Sequence, residues 1–283
     1  MAKRRWLTIS KEDLEQFYTS GLSARQIGNK CGFSRQAVDR AMKKHGLQAR
    51  DSAAQQTALN ETKKIVFTYE QEQLVLGSLL GDACIYNNRF QSNKTERIIS
   101  SYKLIFAHSQ KHEEYLNYKR AVLPGCEVME RLSGKGSVIK HYAFSHTPTL
   151  KPYYDLCIKD GVKRVNKEWL DKVDLRGIAW FYQDDGYLSL NKRGTLAQLG
   201  FCINSFLRED RELIKQKLSS LGLETKCILR ATFDDEAVED QYILLCCKNQ
   251  MAADFLEKLY PFHVPCMAYK FRLITGGRKY AKY

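Results

Sequence analysis

Asp82 and Asp185 are the residues of this chain best placed to do chemistry. Each closes an apolar run, Leu74-Val75-Leu76-Gly77-Ser78-Leu79-Leu80-Gly81-Asp82-Ala83 in the first case and Gly177-Ile178-Ala179-Trp180-Phe181-Tyr182-Gln183-Asp184-Asp185-Gly186 in the second. Runs of this kind read as buried helices. A carboxylate at the C-terminal end of a helix faces the negative pole of the helix dipole, where cations are favoured and anions are not. Two acids in matching context therefore call for positive charge, and a divalent metal ion is the economical answer. Asp184 borders the second acid but is secondary, because its counterpart in the first run is Gly81.

The elements around the two runs repeat. Thr68-Tyr69-Glu70-Gln71 is a capping box that opens the first helix, and Gly77 and Gly81, four residues apart, lie on one face where another backbone can come close. Alternation in Tyr102 to Ala107 predicts a strand, and His108-Ser109 leads into a helix carrying Tyr115, Leu116, Val122 and Leu123. Strands Glu127 to Leu132 and Val138 to Phe144 follow, joined by a Gly134-Lys135-Gly136 turn, and a helix from Leu150 to Ile158 closes the unit. The same order recurs after Asp185, with a strand Leu199 to Ile203, the pair Asn204-Ser205 and a helix from about Glu209 to Leu221. Strands Lys226 to Phe233 and Gln241 to Cys247 and a helix from about Ala252 to Tyr260 complete it. Two copies with this spacing mean an internal duplication with pseudo-two-fold symmetry. Each copy reads helix-strand-strand-helix-strand-strand-helix, which makes the class α+β with mostly antiparallel sheets.

The N-terminal quarter is different. The chain carries a formal charge of +13, which points to a polyanion as partner. Residues 1–64 hold 13 Lys/Arg against 6 Asp/Glu, so this is its most basic part. Residues 10–48 read as three short helices. Ser23-Ala24-Arg25-Gln26 is a second capping box, Ile27 and Cys31 form an apolar face, Gly32 makes a turn, and Ser34 caps the third helix. That is a helix-turn-helix pattern. Its third helix buries Ala37, Val38 and Ala41 and leaves Arg35, Gln36, Arg40, Lys43 and Lys44 outward, a set suited to base edges and phosphates. Residues 49–64 are polar and read as a linker.

The region from about residue 68 to 275 resembles the LAGLIDADG homing endonucleases. The resemblance rests on Leu79-Leu80-Gly81-Asp82, on Ala179 to Gly186, on the strands that end in His108-Ser109 and Asn204-Ser205, and on the late segment Val264-Pro265-Cys266-Met267-Ala268-Tyr269-Lys270. Two motifs in register, each followed by the same elements, make it specific. It departs from the family at Ala83, which replaces the usual glycine after the first acid. It also departs at Trp180, which stands where the first motif has Gly77, so close helix packing is expected on one side only. The resemblance implies that the motif helices pack side by side, that Asp82 and Asp185 meet at the bottom as catalytic metal ligands, and that the flanking sheets form a saddle over DNA. A monomer is implied, cutting an asymmetric target across the minor groove with staggered ends.

Phosphodiester cleavage needs an activated water and a clamp on the attacking and leaving oxygens, which metal ions between two carboxylates supply. Mg²⁺ suits hard oxygen ligands, with Mn²⁺ as a substitute. A basic residue should offset charge at the phosphate. Lys248, after a strand of the second copy, and Lys270, in the late segment, are the candidates, with Lys103 the one in the first copy. His108 and His112, four residues apart, could chelate a metal but lack the context of a zinc helix. The divisions expected are a helix-turn-helix module (1–48), a linker (49–64) and two repeats (65–172 and 173–283). The nine cysteines include no Cys-x-x-Cys pair, and no signal peptide or membrane-length apolar run is present, so a soluble, intracellular protein of cytoplasm or nucleoid is expected. Two other classes fit the same residues. One is an RNA maturase acting on structured intron RNA, and the other is a non-cleaving transcription regulator, against which the retained acids argue.

Overall fold

The structure, a computed structural model, describes residues 10–47, 65–91, 98–132, 138–145, 147–230 and 241–275. The expected linker, the Gly134-Lys135-Gly136 turn and the last residues of the Lys226 to Phe233 strand lie outside these. The described residues group into two compact units. One takes in residues 10–47, 65, 88–91 and 98–101, and the other the remaining described residues.

In the first unit, α1 (Lys11–Thr19), α2 (Ala24–Cys31) and α3 (Arg35–Lys44) each begin at a serine, Ser10, Ser23 and Ser34, whose hydroxyl accepts from a backbone N–H of the first turn. Ser23 and Gln26 complete the expected capping box. Gly32 ends α2 at φ 75°, a left-handed conformation in which a side chain is strained. The core between the helices is Leu14, Ile27, Val38 and Met42. Met42 takes the place expected for Ala41, which is only partly covered, as is Ala37.

The duplication lies in the second unit, apart from residues 88–91 and 98–101 of its first two strands. The first copy runs α4 (Tyr69–Leu80), β1 (Ala83–Gln91), β2 (Ile98–Ser109), α5 (Glu113–Val122), β3 (Glu127–Leu132), β4 (Val138–Ser145) and α6 (Thr147–Cys157). A small hairpin of β5 (Ile158–Lys159) and β6 (Val162–Lys163) and a short α7 (Lys167–Lys172) follow, neither of them anticipated. The second copy runs α8 (Leu175–Asp185), β7 (Gly186–Leu190), β8 (Leu196–Cys202), α9 (Arg208–Ser220), β9 (Lys226–Arg230), β10 (Gln241–Cys246) and α10 (Asn249–Leu259). A 3-10 segment (Pro265–Phe271) and α11 (Arg272–Thr275) end the described chain. The sheets have the same strand order, β1-β2-β4-β3 and β7-β8-β10-β9, which is the structural form of the repeat. Their inner faces bury Leu104 and Phe106 in one and Leu199 and Phe201 in the other.

Helices α4 and α8 pack along one another. Every residue of α4 from Gln73 to Leu80 is buried. Each fully covered leucine there contributes roughly 1.5–3 kcal/mol. The close approach falls at Gly77 and Gly177: a Cβ on Gly77 would lie 2.1 Å from the carbonyl oxygen of Gly177. This corrects the expectation that only one helix would be glycine-packed. Trp180 does not face Gly77; its ring turns toward Tyr115 and Tyr118 of α5, with centroids 6.0 and 6.1 Å away. The upper ends of the helices are tied by Arg176 to Glu70 at 2.6 Å. Buried Gln73 adds a donated bond to the Lys172 carbonyl at 2.9 Å and an accepted one from the Asp174 N–H at 3.0 Å. With their N-termini clamped and their middles interlocked, the helices have fixed C-terminal ends, and these carry the acids.

Candidate active site

Asp82 follows the last turn of α4, and Asp185 is the last residue of α8. The Asp82 side chain keeps 37% of its surface open to solvent. Its carboxyl is nevertheless pushed up to about 6, first by the loss of surrounding water and then by the charge of Asp184. Asp185 is pushed further, to about 8, by burial, then by Asp82, then by Asp184. The duplication thus brings the two acids into each other's field, as like charges that resist ionisation together.

The positive charge demanded at the helix ends is supplied in part by two lysines. Nζ of Lys270, buried in the 3-10 segment, donates to the carbonyls of Gln183 at 2.5 Å and Asp184 at 3.1 Å. Nζ of Lys163, on β6, donates to the carbonyls of Leu79 at 2.8 Å and Ala83 at 3.0 Å. Each ammonium therefore caps the C-terminus of one motif helix, satisfying carbonyls that have no partner within the helix. Burial pulls both lysines below their ordinary value, while the site's anions, Asp185 and Asp82 among them, pull back.

Of the lysines picked from sequence, the structure brings Lys270 to the acids. Lys248 is exposed at the N-cap of α10, and the charges acting on Asp82 and Asp185 come instead from Lys163, Lys270 and, for Asp82, Lys119. Lys103 lies on β2 opposite Ser145 of β4. Lys163 was missed because the hairpin that carries it was missed. Its signal was a lysine in a Gly-Val-Lys turn shortly before the second motif, in a chain where lysines are plentiful.

A second group sits beside Asp82. Asp184 is fully buried and accepts from Lys119 Nζ at 2.6 Å and from the Tyr115 hydroxyl at 2.7 Å. Burial alone would raise its carboxyl, but the Lys119 ammonium and the hydrogen bonds from Lys119 and Tyr115 outweigh that and hold it below the usual carboxylate range. His108 places Nδ1 3.3 Å from Asp82 and Nε2 3.2 Å from Lys119 Nζ. Burial and Lys119 push His108 down to about 3, so it is neutral at physiological pH. His112 is half-buried with its ring centroid 6.5 Å from that of His108. Both nitrogens of His108 face other partners, so the two histidines do not form a chelating pair.

Ligand atoms of Asp82, His108 and Asp184 lie within 4.8 Å of one another, close enough to share a cation. The Lys119 ammonium already fills the Asp184 and His108 side of that group. The open member of that group is Asp82, a carboxylate oxygen donor of the kind that suits a hard divalent cation such as Mg²⁺. In the helix-turn-helix, Arg35, Gln36, Arg40 and Lys43 are all exposed on α3. Two of them have local partners: Arg35 pairs with Asp39 at 3.5 Å, and Arg40 Nε donates to the Gln36 carbonyl at 3.2 Å.

Two like-ordered antiparallel sheets, joined through a pair of glycine-packed helices that end in acids, define an α+β fold of the homing-endonuclease type. Residues 72–252 match the family model of the LAGLIDADG DNA endonuclease family. The RecA protein of Mycobacterium gastri is 25% identical over 221 residues, which is 74% of this chain and 48% of that protein. The chain therefore spans about half the length of the RecA relatives it matches. DNA endonuclease I-ChuI of Chlamydomonas applanata is 25% identical over 230 residues, covering 75% of this chain and 97% of that one. The solved structure of the homing endonuclease I-WcaI bound to its DNA recognition sequence has the same fold, with a TM-score of 0.59 at 17% identity, over 81% of this chain and 97% of that one. The chain belongs to the LAGLIDADG DNA endonuclease family. Among the described residues no helix is long and apolar enough to cross a membrane.

Proposed function

We propose that this chain is a site-specific, Mg²⁺-dependent double-strand DNA endonuclease that acts as a monomer and leaves staggered ends. The observation that supports the reading is that Asp82 and Asp185 stand at the ends of the packed helices α4 and α8, each raised by burial and Asp185 also by the charge of Asp82. Acids so placed are held ready for a cation that removes their repulsion. A bound divalent ion would supply water activation and stabilisation of the leaving oxygen.

The chain's own residues do the rest. Lys163 and Lys270 hold positive charge at the two helix ends, where it favours the ionised form of both acids and offsets phosphate charge. The sheet faces opposite the buried rows carry Lys103, Arg131 and His141 in one copy and Gln198 and Lys226 in the other, donors suited to a duplex laid across them. The exposed face of α3 adds contacts on one flank.

The test is incubation with DNA spanning the uninterrupted insertion site, with and without Mg²⁺. Metal-dependent double-strand cleavage is expected, lost in Asp82→Asn and Asp185→Asn while DNA binding persists, because most affinity comes from phosphate contacts elsewhere. Full cleavage by either variant would overturn the two-carboxylate reading.

A further inference from the structure

Lys163 reaches the end of α4 from a hairpin too short to hold itself in place. Strands β5 and β6 pair Ile158 with Lys163 and Lys159 with Val162, around a turn in which Asp160 (φ 51°) and Gly161 (φ 79°) are both left-handed. A lone two-stranded hairpin is marginal even at greater length. Its base is closed by the Arg164 N–H, which donates to the Cys157 carbonyl at 2.9 Å. That ladder orders the hairpin but leaves its tilt against the helices open.

The tilt is set from the other copy. Arg164, next to Lys163 in the chain, donates from Nε to both carboxylate oxygens of Asp210, at 3.2 and 3.0 Å. Asp210 lies in the first turn of α9, where the helix dipole favours an acid, and its side chain is 1% exposed. A carboxylate so buried needs its cation, so any placement of the hairpin that parts the two is costly. Four residues earlier in the chain, the buried ring of Phe206 has the Lys163 ammonium 5.9 Å from its centroid. Arg211 Nε donates to the Phe206 carbonyl at 2.7 Å and ties that ring to α9. One short segment of the second copy therefore meets both Lys163 and Arg164 of the first.

We propose that Arg164 and Asp210 are positioning residues whose ion pair, made across the two copies, holds the Lys163 ammonium at the end of α4. The inference rests on the endonuclease reading for its effect on rate and on the contacts of the hairpin for its cause. Arg164 acts through Lys163. The second copy thus governs a lysine that the first copy supplies.

Two measurements test it. Acetic anhydride labelling of the metal-free protein, read by mass spectrometry, should find Lys163 several-fold more reactive in Arg164→Met than in the wild type, with exposed Lys248 unchanged. With insertion-site DNA and Mg²⁺, Arg164→Met should slow single-turnover cleavage by up to about 100-fold, the scale for a misplacement of about 1 Å, and leave DNA affinity nearly as it was. Arg164→Lys, which keeps a cation opposite Asp210, should recover much of the rate. In a Lys163→Met background the same Arg164→Met change should cost nothing further, because the group it places is already gone. A merely structural role predicts instead that the two losses multiply. Thermal melts show whether each variant is folded. Should the unpaired Asp210 unfold Arg164→Met, the double variant Arg164→Met/Asp210→Leu, which leaves no buried charge, takes its place with the same expected outcomes. Multiplying losses overturn the proposal, as does unchanged labelling of Lys163. If the wild type does not cut at all, the endonuclease reading fails, and the labelling alone decides whether the pair places Lys163.

Discussion

A Cβ on Gly81 would lie 2.5 Å from the Cβ of Asp184 and 3.0 Å from its Oδ2. The missing side chain at one helix end is thus the space into which the other helix places its buried carboxylate. This explains why the motif ends differ in sequence although they share a fold: a second acid at position 81 would have no room. Gly81→Ala should push Asp184 against Lys119 and lower stability by ~1–3 kcal/mol, the usual range for overpacking. Gly77→Ala should cost more, because its neighbour is the backbone of Gly177 and cannot rotate away. Urea unfolding of the two variants side by side checks the order.

Replacing either capping lysine by methionine removes a charge that the helix ends need. Lys163→Met leaves two carbonyls without their donor and Lys270→Met leaves three, at distances of 2.5–3.4 Å in the native protein. Each should reduce cleavage by about two orders of magnitude or more, the scale for losing a preorganised charge at a reacting phosphate. Lys248→Met should cleave within a few-fold of the wild type. A loss at Lys248 as large as at Lys270 would show that Lys248 also acts at the scissile phosphate. Single-turnover rates at saturating enzyme make the comparison free of binding effects.

The raised acids give the metal-free protein a pH dependence with a definite sign. Asp82 moves from 3.8 to about 6 and Asp185 from 3.8 to about 8 on folding. Between pH 4 and 8 these two acids therefore bind more protons in the native state than in the unfolded chain, while His108, lowered from 6.5 to about 3, works the other way below about pH 6.5, so the effect of the acids stands out between pH 6.5 and 8. Stability then falls as pH rises, and the loss is complete above the folded values. The melting temperature without metal should drop across this window, and less so in Asp185→Asn, which has no charge to bury. Mg²⁺ should restore more stability at pH 8 than at pH 5, since it binds the ionised form. Melting curves at a series of pH values, with EDTA or Mg²⁺, give the answer.

The sequence was informative where a physical rule acts locally. Capping boxes at Thr68 and Ser23 set helix starts, and alternation located β2, β3, β4, β8, β9 and β10, because those signals lie within one element, whereas β1 and β7 were expected only as places in the repeat order. The meeting of Asp82 and Asp185 was legible only through duplication. What could not be read was contact between elements. Trp180 stands at the position equivalent to Gly77, which suggested glycine packing on one helix only, but the pseudo-symmetric helices meet with an offset, and the glycine that faces Gly77 is Gly177. The ammonium of Lys119 and the buried Asp184 looked like an ordinary surface lysine and a spare acid. Only the packing of α5 against α8 makes them a pair.

The helix-turn-helix should add affinity without adding chemistry. Its α3 exposes Arg35, Gln36, Arg40 and Lys43, while its interior is closed by Leu14, Ile27, Val38 and Met42. A triple variant, Arg35→Ser, Arg40→Ser and Lys43→Ser, keeps that interior intact and removes three cations. If all three neutralise phosphates, the slope of log affinity against log salt should become shallower by about 2–3, given roughly 0.9 per phosphate on duplex DNA. The change will fall toward the lower end if Asp39 keeps Arg35 engaged, since that pair already stands at 3.5 Å. Cleavage at low salt and high enzyme should be unchanged, because none of the three residues touches the acids. Deleting residues 1–61 should have the same effect with a shorter footprint on one flank of the target. Footprints and salt slopes of the full chain, the triple variant and the truncated chain separate the possibilities. An unaltered slope and footprint would mean that this basic helix holds something other than the target DNA.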